Sequence, residues 1–186
     1  MRAITHSHIR FPLNPEQMTS DHIAWDDIAT HLAKQCRYNG AVPGYYSVAE
    51  HSVLVSQCVP KHLQFLALLH DAAEAYLGDL VRPVKVQCPA YWQMEDRLML
   101  TIYRAALVEP PSFSDQMEIK AADDAVLNRE LEWFFPEQDF TNGQGDGGSV
   151  PAAQVNIVGL DWQDARQLFI TRFNQVKPGF VDGVAA

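Results

Sequence analysis

Cysteine is scarce. The chain has three, Cys36, Cys58 and Cys88, widely spaced and with no C-x-x-C pair. An odd count without a framework excludes a disulfide scaffold and points to reduced thiols in a cytoplasmic protein. Long apolar runs are also missing. None approaches the ~18 residues of a membrane span, and the N-terminus carries no signal-peptide h-region, so the expectation is a soluble protein with no membrane partner. There is no excess of positive charge: the formal net charge is −9, which argues against binding a nucleic-acid polymer through its backbone. Internal repeats and a second-domain linker are absent as well. What remains is a chain of 186 residues, 47% hydrophobic and 20% charged, ordinary for one globular domain spanning residues 1–186 with a sizeable core.

The stretch that stands out runs from Leu66 to Lys85. It begins as an apolar run and then sets His70 and Asp71 side by side within it. Ionisable groups in apolar surroundings need a partner, and a divalent metal is an economical one for an adjacent imidazole and carboxylate. Glu74, four residues after His70, returns to the same face of a helix. Gly78 has the look of a helix C′ residue, and Pro83 hinders resumption of the helix.

The rest of the chain reads as all-α, about six helices, with a short strand or hairpin expected before Pro12 and Pro15. His6 and His8 have the spacing of a strand ligand pair, but near a terminus they read as surface residues. Ile28, Ala29, Leu32, Ala33 and Cys36 give helical periodicity over Asp26–Cys36, with Asn39-Gly40 as a stop, which puts Arg37 and Tyr38 at the helix C-terminus, where the dipole favours a cation. Ser47-Val48-Ala49-Glu50 fits a capping box that opens the next helix. His51 lies in its first turn, and the short link to the following helix makes the two antiparallel neighbours. His51 can then meet residues late in that next helix.

Further on, Pro89–Ala106 is helical, with Trp92, Leu98, Met99, Ile102, Tyr103 and Ala106 as its core face and Glu95, Asp96 and Arg97 on the solvated side. A long helix capped by Ser114 or Asp115 runs to about Phe135. Asp123 and Asp124 lie in its middle, flanked by small alanines; spacing alone allows one inward ligand or two surface acids. Residues 141–151 are glycine-rich but lack the Lys-Ser/Thr of a phosphate loop, so a flexible loop is expected there. Asp161 caps a last helix, after which residues 178–186 are expected to fray.

Taken together, His51, His70-Asp71 and Asp123, each on a different predicted helix, resemble the H…HD…D signature of the HD-domain metal-dependent phosphohydrolases. The likeness extends to Ser47-Val48-Ala49-Glu50-His51-Ser52, to His70-Asp71-Ala72-Ala73-Glu74-Ala75, and to Gly78-Asp79-Leu80 through Pro83-Val84-Lys85, as in bacterial 5′-deoxynucleotidases. Lys120-Ala121-Ala122-Asp123 fits the pattern that carries their last ligand, which favours Asp123 over Asp124. Cys36-Arg37-Tyr38-Asn39-Gly40 is more similar to prophage-type members, which are similar in turn to phage enzymes that hydrolyse dATP. The resemblance covers about residues 1–135.

This resemblance implies an HD-domain helical bundle whose metal ligands are His51, His70, Asp71 and Asp123. A mixed N/O donor set suits Mn, Co, Fe, Ni or Zn better than Mg. It implies Glu74 as general base or water-positioning group and Asp79 in proton handling. Lys85 and Arg37 would bind phosphate, Lys85 as a point charge and Arg37 as a planar clamp. Tyr38 stands where the deoxynucleotidases have a tryptophan beside the sugar and base, so selectivity is expected around Arg37 and Tyr38. The implied activity is a nucleotide phosphohydrolase that removes phosphate from a deoxyribonucleoside 5′-monophosphate through a metal-activated water. The alternatives are release of triphosphate from a dNTP and a non-catalytic nucleotide sensor. Homodimerisation is implied by the resemblance alone.

Overall fold

In the computed structural model, which describes residues 2–138 and 150–179, the chain is all-α with one N-terminal hairpin. The strands β1 (Arg2–Ile4) and β2 (Arg10–Pro12) pair antiparallel, with Ala3 opposite Phe11. His6 and His8 fall in the turn between them, so they are not a strand pair facing a ligand. The glycine-rich expectation for 141–149 and the frayed tail from 180 onward lie outside the described residues.

Eight α-helices are described: α1 (Trp25–Lys34), α2 (Val48–Gln57), α3 (Gln64–Leu68), α4 (Glu74–Leu77), α5 (Arg82–Lys85), α6 (Pro89–Ala106), α7 (Phe113–Phe134) and α8 (Trp162–Val176). They occupy all six expected positions, and two local differences account for the larger number. The helix expected through Leu66 and Leu77 is broken into α3 and α4. Between them the backbone tightens to three-residue steps: Ala72 N–H donates to Leu69 C=O, and Glu74 N–H to Asp71 C=O. One contributor is His70, whose ring Nδ1 donates to the Ala67 carbonyl at 2.8 Å and so competes for a helix acceptor. Pro83 does not end helical structure. It sits in the first turn of α5, where its missing N–H has no intrahelical partner to lose.

α1 also ends earlier than expected, at Lys34. Cys36 then makes an isolated antiparallel bridge to Ser47, and Arg37–Gly40 forms a separate turn in which Tyr38, Asn39 and Gly40 all have positive φ, at 57°, 51° and 79°. The dipole of α1 therefore does not account for Arg37.

Ser47 caps α2 by accepting the Glu50 N–H at 3.1 Å, but the expected return bond from the Glu50 carboxylate is not made. That carboxylate is buried and accepts three backbone N–H groups instead, from Val158 at 2.9 Å, Gly159 at 3.1 Å and Leu160 at 2.8 Å. Three amide dipoles outcompete one, and the segment leading to α8 is thereby fastened to α2. Gly159 is required at the clasp, because its φ is +73° and a Cβ would meet the Tyr45 carbonyl oxygen at 3.1 Å.

The α7 cap is Ser112, two residues before Ser114. Its hydroxyl accepts the Asp115 N–H while Asp115 accepts the Ser112 N–H, a complete capping box. In α6, Leu98 and Ile102 are buried as expected, but Trp92 is 49% exposed. The largest apolar cluster joins Ile28 and Leu32 of α1, Val53 of α2, Leu68 of α3, Leu98 and Ile102 of α6, and Phe169 and Phe173 of α8. Two arginines of α8 reinforce that packing. Arg166 bonds Thr30 and Asp26 of α1, and Arg172 bonds the hydroxyl and carbonyl of Ser56 at the end of α2. Among the described residues no helix is long and apolar enough to cross a membrane.

Candidate metal centre

His51 comes from the first turn of α2, His70 and Asp71 from the tightened turn between α3 and α4, and Asp123 from the middle of α7. The fold brings all four together. Asp71 Oδ2 lies 3.1 Å from His70 Nε2 and 3.8 Å from His51 Nε2. Asp123 Oδ1 lies 3.2 Å from His51 Nε2 and 3.9 Å from His70 Nε2. Ligand atoms around one ion sit roughly 3–4 Å apart when its bonds are ~2.0–2.2 Å long, and these four histidine–aspartate separations fall in that range; Asp123 lies beside the mutually close group His51, His70 and Asp71. Asp124, one residue on, turns to Lys120 and Arg82.

The tautomers agree with a metal centre. His70 Nδ1 faces a backbone carbonyl, and His51 Nδ1 lies 2.6 Å from Glu130 Oε1. Carbonyl and carboxylate oxygens only accept, so both Nδ1 atoms carry a proton, and Nε2 is the atom of each ring left to bind a cation once it is deprotonated. Those two Nε2 atoms are buried and lack a hydrogen-bond partner, an arrangement a cation resolves. His51, His70 and Asp71 each offer one ligand atom within 4.8 Å of one another, and this group could hold a metal ion.

Glu130 is absent from the residues the sequence singles out. It is fully buried and is the common acceptor of five hydrogen bonds. Arg37 Nε and Nη2 reach Oε2 at 3.2 and 3.0 Å, and the Tyr38 hydroxyl reaches it at 2.7 Å. The Tyr46 hydroxyl and His51 Nδ1 reach Oε1 at 2.7 and 2.6 Å. Burial alone would raise its pKa, but Arg37 and His51 outweigh that and hold the carboxyl down to about 2. A signal for it existed: Glu130 follows Asp123 by seven residues, two helical turns along the same face of α7.

This acceptor takes the side chains of both Arg37 and Tyr38 from the left-handed turn. Arg37 spends its Nε–Nη2 edge on Glu130 and leaves Nη1 3.9 Å from Asp71. Tyr38 spends its hydroxyl there too. Both still line a charged cavity of about 160 Å³ beside the cluster, together with Glu74, Asp79, Arg82 and Lys85.

Within that cavity Glu74 is buried, with one oxygen unpartnered and the other 3.8 Å from Lys85 Nζ. Burial, with Asp71 and Asp79 adding to it, pushes its pKa well above the carboxylate range against the pull of Lys85 and Arg37. Burial raises Asp79 as well. Two positioning residues escaped the sequence reading here. Gln35 Nε2 donates to the Glu74 carbonyl at 2.9 Å while its Oε1 accepts the Asp79 N–H at 2.8 Å, so one amide side chain clamps the backbone on both sides of Gly78. Glu95, expected on the solvated face of α6, instead holds Lys85 Nζ at 2.5 Å. No signal in the spacing marks either contact, because both join segments through the fold.

No family model matches the chain. It is similar to the Escherichia coli K12 protein YfdR, 35% identical over 168 residues that cover 87% of this chain and 88% of that protein. It is also similar to a Rhodobacter capsulatus protein, 37% identical over 118 residues that cover 58% of this chain and 60% of that one. Both relatives are described only as uncharacterized proteins. With identity of that order sustained along nearly the whole of both chains, the protein belongs to the family that includes YfdR.

Proposed function

We propose that the chain is a divalent-metal-dependent phosphohydrolase of nucleotides, foremost a 5′-deoxyribonucleotidase, of the HD-domain type. The observation that carries this reading is the meeting of two orphaned imidazole nitrogens and two carboxylates with a small cavity that presents both cations and buried acids. His51, His70, Asp71 and Asp123 would hold the ion, and their mixed N/O character favours Mn, Co, Fe, Ni or Zn over Mg. When bound, such an ion supplies a Lewis acid and lowers the pKa of water.

The chain's own groups complete the chemistry. Arg82 and Lys85 neutralise phosphate charge at the cavity wall. Glu74, with an unpartnered buried oxygen and a pKa raised by burial, is a stronger base than an ordinary carboxylate and in its ionised form accepts a proton from the attacking water. Asp79, whose neutral form is favoured by burial, donates a proton to the departing sugar oxygen. The charged lining of the cavity of about 160 Å³, with Arg82 and Lys85 beside Glu74 and Asp79, supports an anionic phosphoryl group as its occupant. Retention of Glu74, Asp79 and Lys85 beside the ligand set supports turnover over a sensor role.

The test is a panel of (d)NMPs and (d)NTPs with each candidate metal, resolving phosphate, pyrophosphate and triphosphate. Orthophosphate from deoxyribonucleoside monophosphates is expected. Release of triphosphate would move the substrate class, and no product from any nucleotide would reject the enzyme reading.

A further inference from the structure

A second cavity, of about 540 Å³, borders the same cluster. Its floor includes His70 and Asp123, and Asp123 also lines the charged cavity. The two cavities share one ligand residue but differ in chemistry. The second is walled by Met99, Leu100 and Tyr103 of α6, by Pro110 and Pro111 of the α6–α7 link, and by Ile119 of α7. Asp96, Gln116 and Lys120 supply polar groups at its edge. Lys120 is paired with Asp123 at 3.1 Å and with Asp124. The Gln116 side chain donates to the Pro111 carbonyl at 3.0 Å and braces the proline wall.

Apolar and aromatic walls with a few polar groups at the margin characterise pockets for small organic molecules, which span ~300–1,000 Å³. The second cavity falls inside that range and the charged one does not. A nucleotide has the same division. Its phosphate is small and anionic; its nucleoside is larger, with flat apolar faces and heteroatoms at the edges. Tyr38, expected beside the sugar and base, gives its hydroxyl to Glu130 and lines the charged cavity rather than the second one.

We propose that the nucleoside part of the substrate lies between α6 and α7 against Met99, Leu100, Tyr103 and Ile119, with its 5′-phosphoester passing Asp123 into the charged cavity. This subsite rests on the nucleotide-hydrolase reading for its occupant, and on the two cavities for its place. It adds the α6–α7 cleft to the Arg37–Tyr38 turn as a determinant of substrate selectivity.

Leu100→Trp tests the assignment, because Leu100 is 38% exposed and a larger side chain there fills the cleft without overpacking the core. In the full-length, metal-supplemented protein, the variant is expected to raise KM for a deoxyribonucleoside monophosphate ~10-fold or more with kcat changed less than ~3-fold, the signature of lost uniform binding. The dissociation constant of the unphosphorylated deoxynucleoside, measured by calorimetry, should weaken to a similar extent. The affinity of inorganic phosphate should not move. A natively folded Leu100→Trp protein with unchanged nucleoside affinity would overturn the subsite, and continued hydrolysis in that protein would leave the phosphohydrolase reading intact. If instead the wild type hydrolyses no nucleotide yet binds deoxynucleoside in a Leu100-dependent way, the cleft stands and the catalytic reading falls. Absence of both defeats both.

Discussion

His51 Nδ1 and Glu130 Oε1 lie 2.6 Å apart with neither side chain exposed to solvent. That contact turns His51 Nε2 toward Asp71 and Asp123, and it places a negative charge directly behind a candidate metal ligand. Carboxylates behind ligating imidazoles fix the tautomer and raise ligand basicity. Glu130 does this while also satisfying Arg37, Tyr38 and Tyr46, so one α7 residue couples the ligand set to the turn after α1.

The consequence is testable with Glu130→Gln. The amide keeps the shape but removes the charge opposite the largely buried Arg37 side chain. Breaking one partner of a buried pair costs ~3–5 kcal/mol, which for a chain of this size is a loss of roughly 6–20 °C in Tm. Affinity for Mn or Co should fall ~10–100-fold, as for other outer-shell partners. Calorimetric titration and a thermal melt check both; wild-type metal affinity in the folded variant would remove Glu130 from the site.

Glu74 carries the clearest prediction about rate. Glu74→Gln should lower kcat by ~10²–10⁴ while metal content, measured by elemental analysis, stays at the wild-type level. The pH dependence has a definite sign. Burial, Asp71 and Asp79 raise the Glu74 pKa, and Lys85 opposes them. Activity needs the carboxylate form, so the acid limb of the pH–rate profile should lie above the ordinary carboxylate range, with rate lost as pH falls through it. Lys85→Met removes a group that lowers this pKa and should move the limb to higher pH. A limb that stays in place, or moves to lower pH, would exclude Glu74 as the group that titrates.

How much of this was legible in the sequence follows from the range of each interaction. The helices with strong apolar periodicity, α6 at Pro89–Ala106 above all, were readable because the signal is contained in the element. His70 and Asp71 stood out because a histidine–aspartate pair in an apolar run is anomalous wherever it occurs, whereas His51 and Asp123 were singled out as candidate ligands only through the family resemblance. Boundaries failed where a side chain took a backbone partner, as at His70 with Ala67. The Glu50 carboxylate was misassigned because its partners are more than a hundred residues away. Glu130 was legible in principle by its seven-residue offset from Asp123. Gln35 was not, since a lone glutamine after a helix carries no mark of the two backbone groups it bridges.

That bridge yields a third prediction. Gln35→Ala would leave the Glu74 carbonyl and the Asp79 N–H without their clamp across Gly78, whose φ of +91° makes the turn. Two part-buried hydrogen bonds are lost, at ~0.5–1.5 kcal/mol each. The effect on the site should exceed the effect on the fold, because both released groups belong to proposed catalytic residues. A fall in kcat of ~10-fold or more with metal stoichiometry unchanged is expected. Steady-state kinetics beside a denaturant titration separates the two; a stability loss with full kcat would make Gln35 merely structural.

The Glu50 clasp supports a prediction on stability alone. Its carboxylate accepts N–H groups from Val158, Gly159 and Leu160, and hydrogen bonds to a charged acceptor contribute ~1.5–3 kcal/mol apiece before competition with water from the unfolded chain is shared among them. Glu50→Gln keeps one acceptor oxygen and presents an N–H₂ toward an N–H donor, so at least the Leu160 bond is replaced by a donor–donor contact. A net loss of about 2–4 kcal/mol is expected. The loss should be local at first: hydrogen exchange at the 158–160 amides should accelerate well before that of the α2 interior, because α2 is also held by Arg172 of α8 at Ser56. Uniform acceleration across the chain would mean that the clasp is part of the global unfolding unit, and protection equal to wild type at all three amides would mean that the Glu50 carboxylate does not hold them.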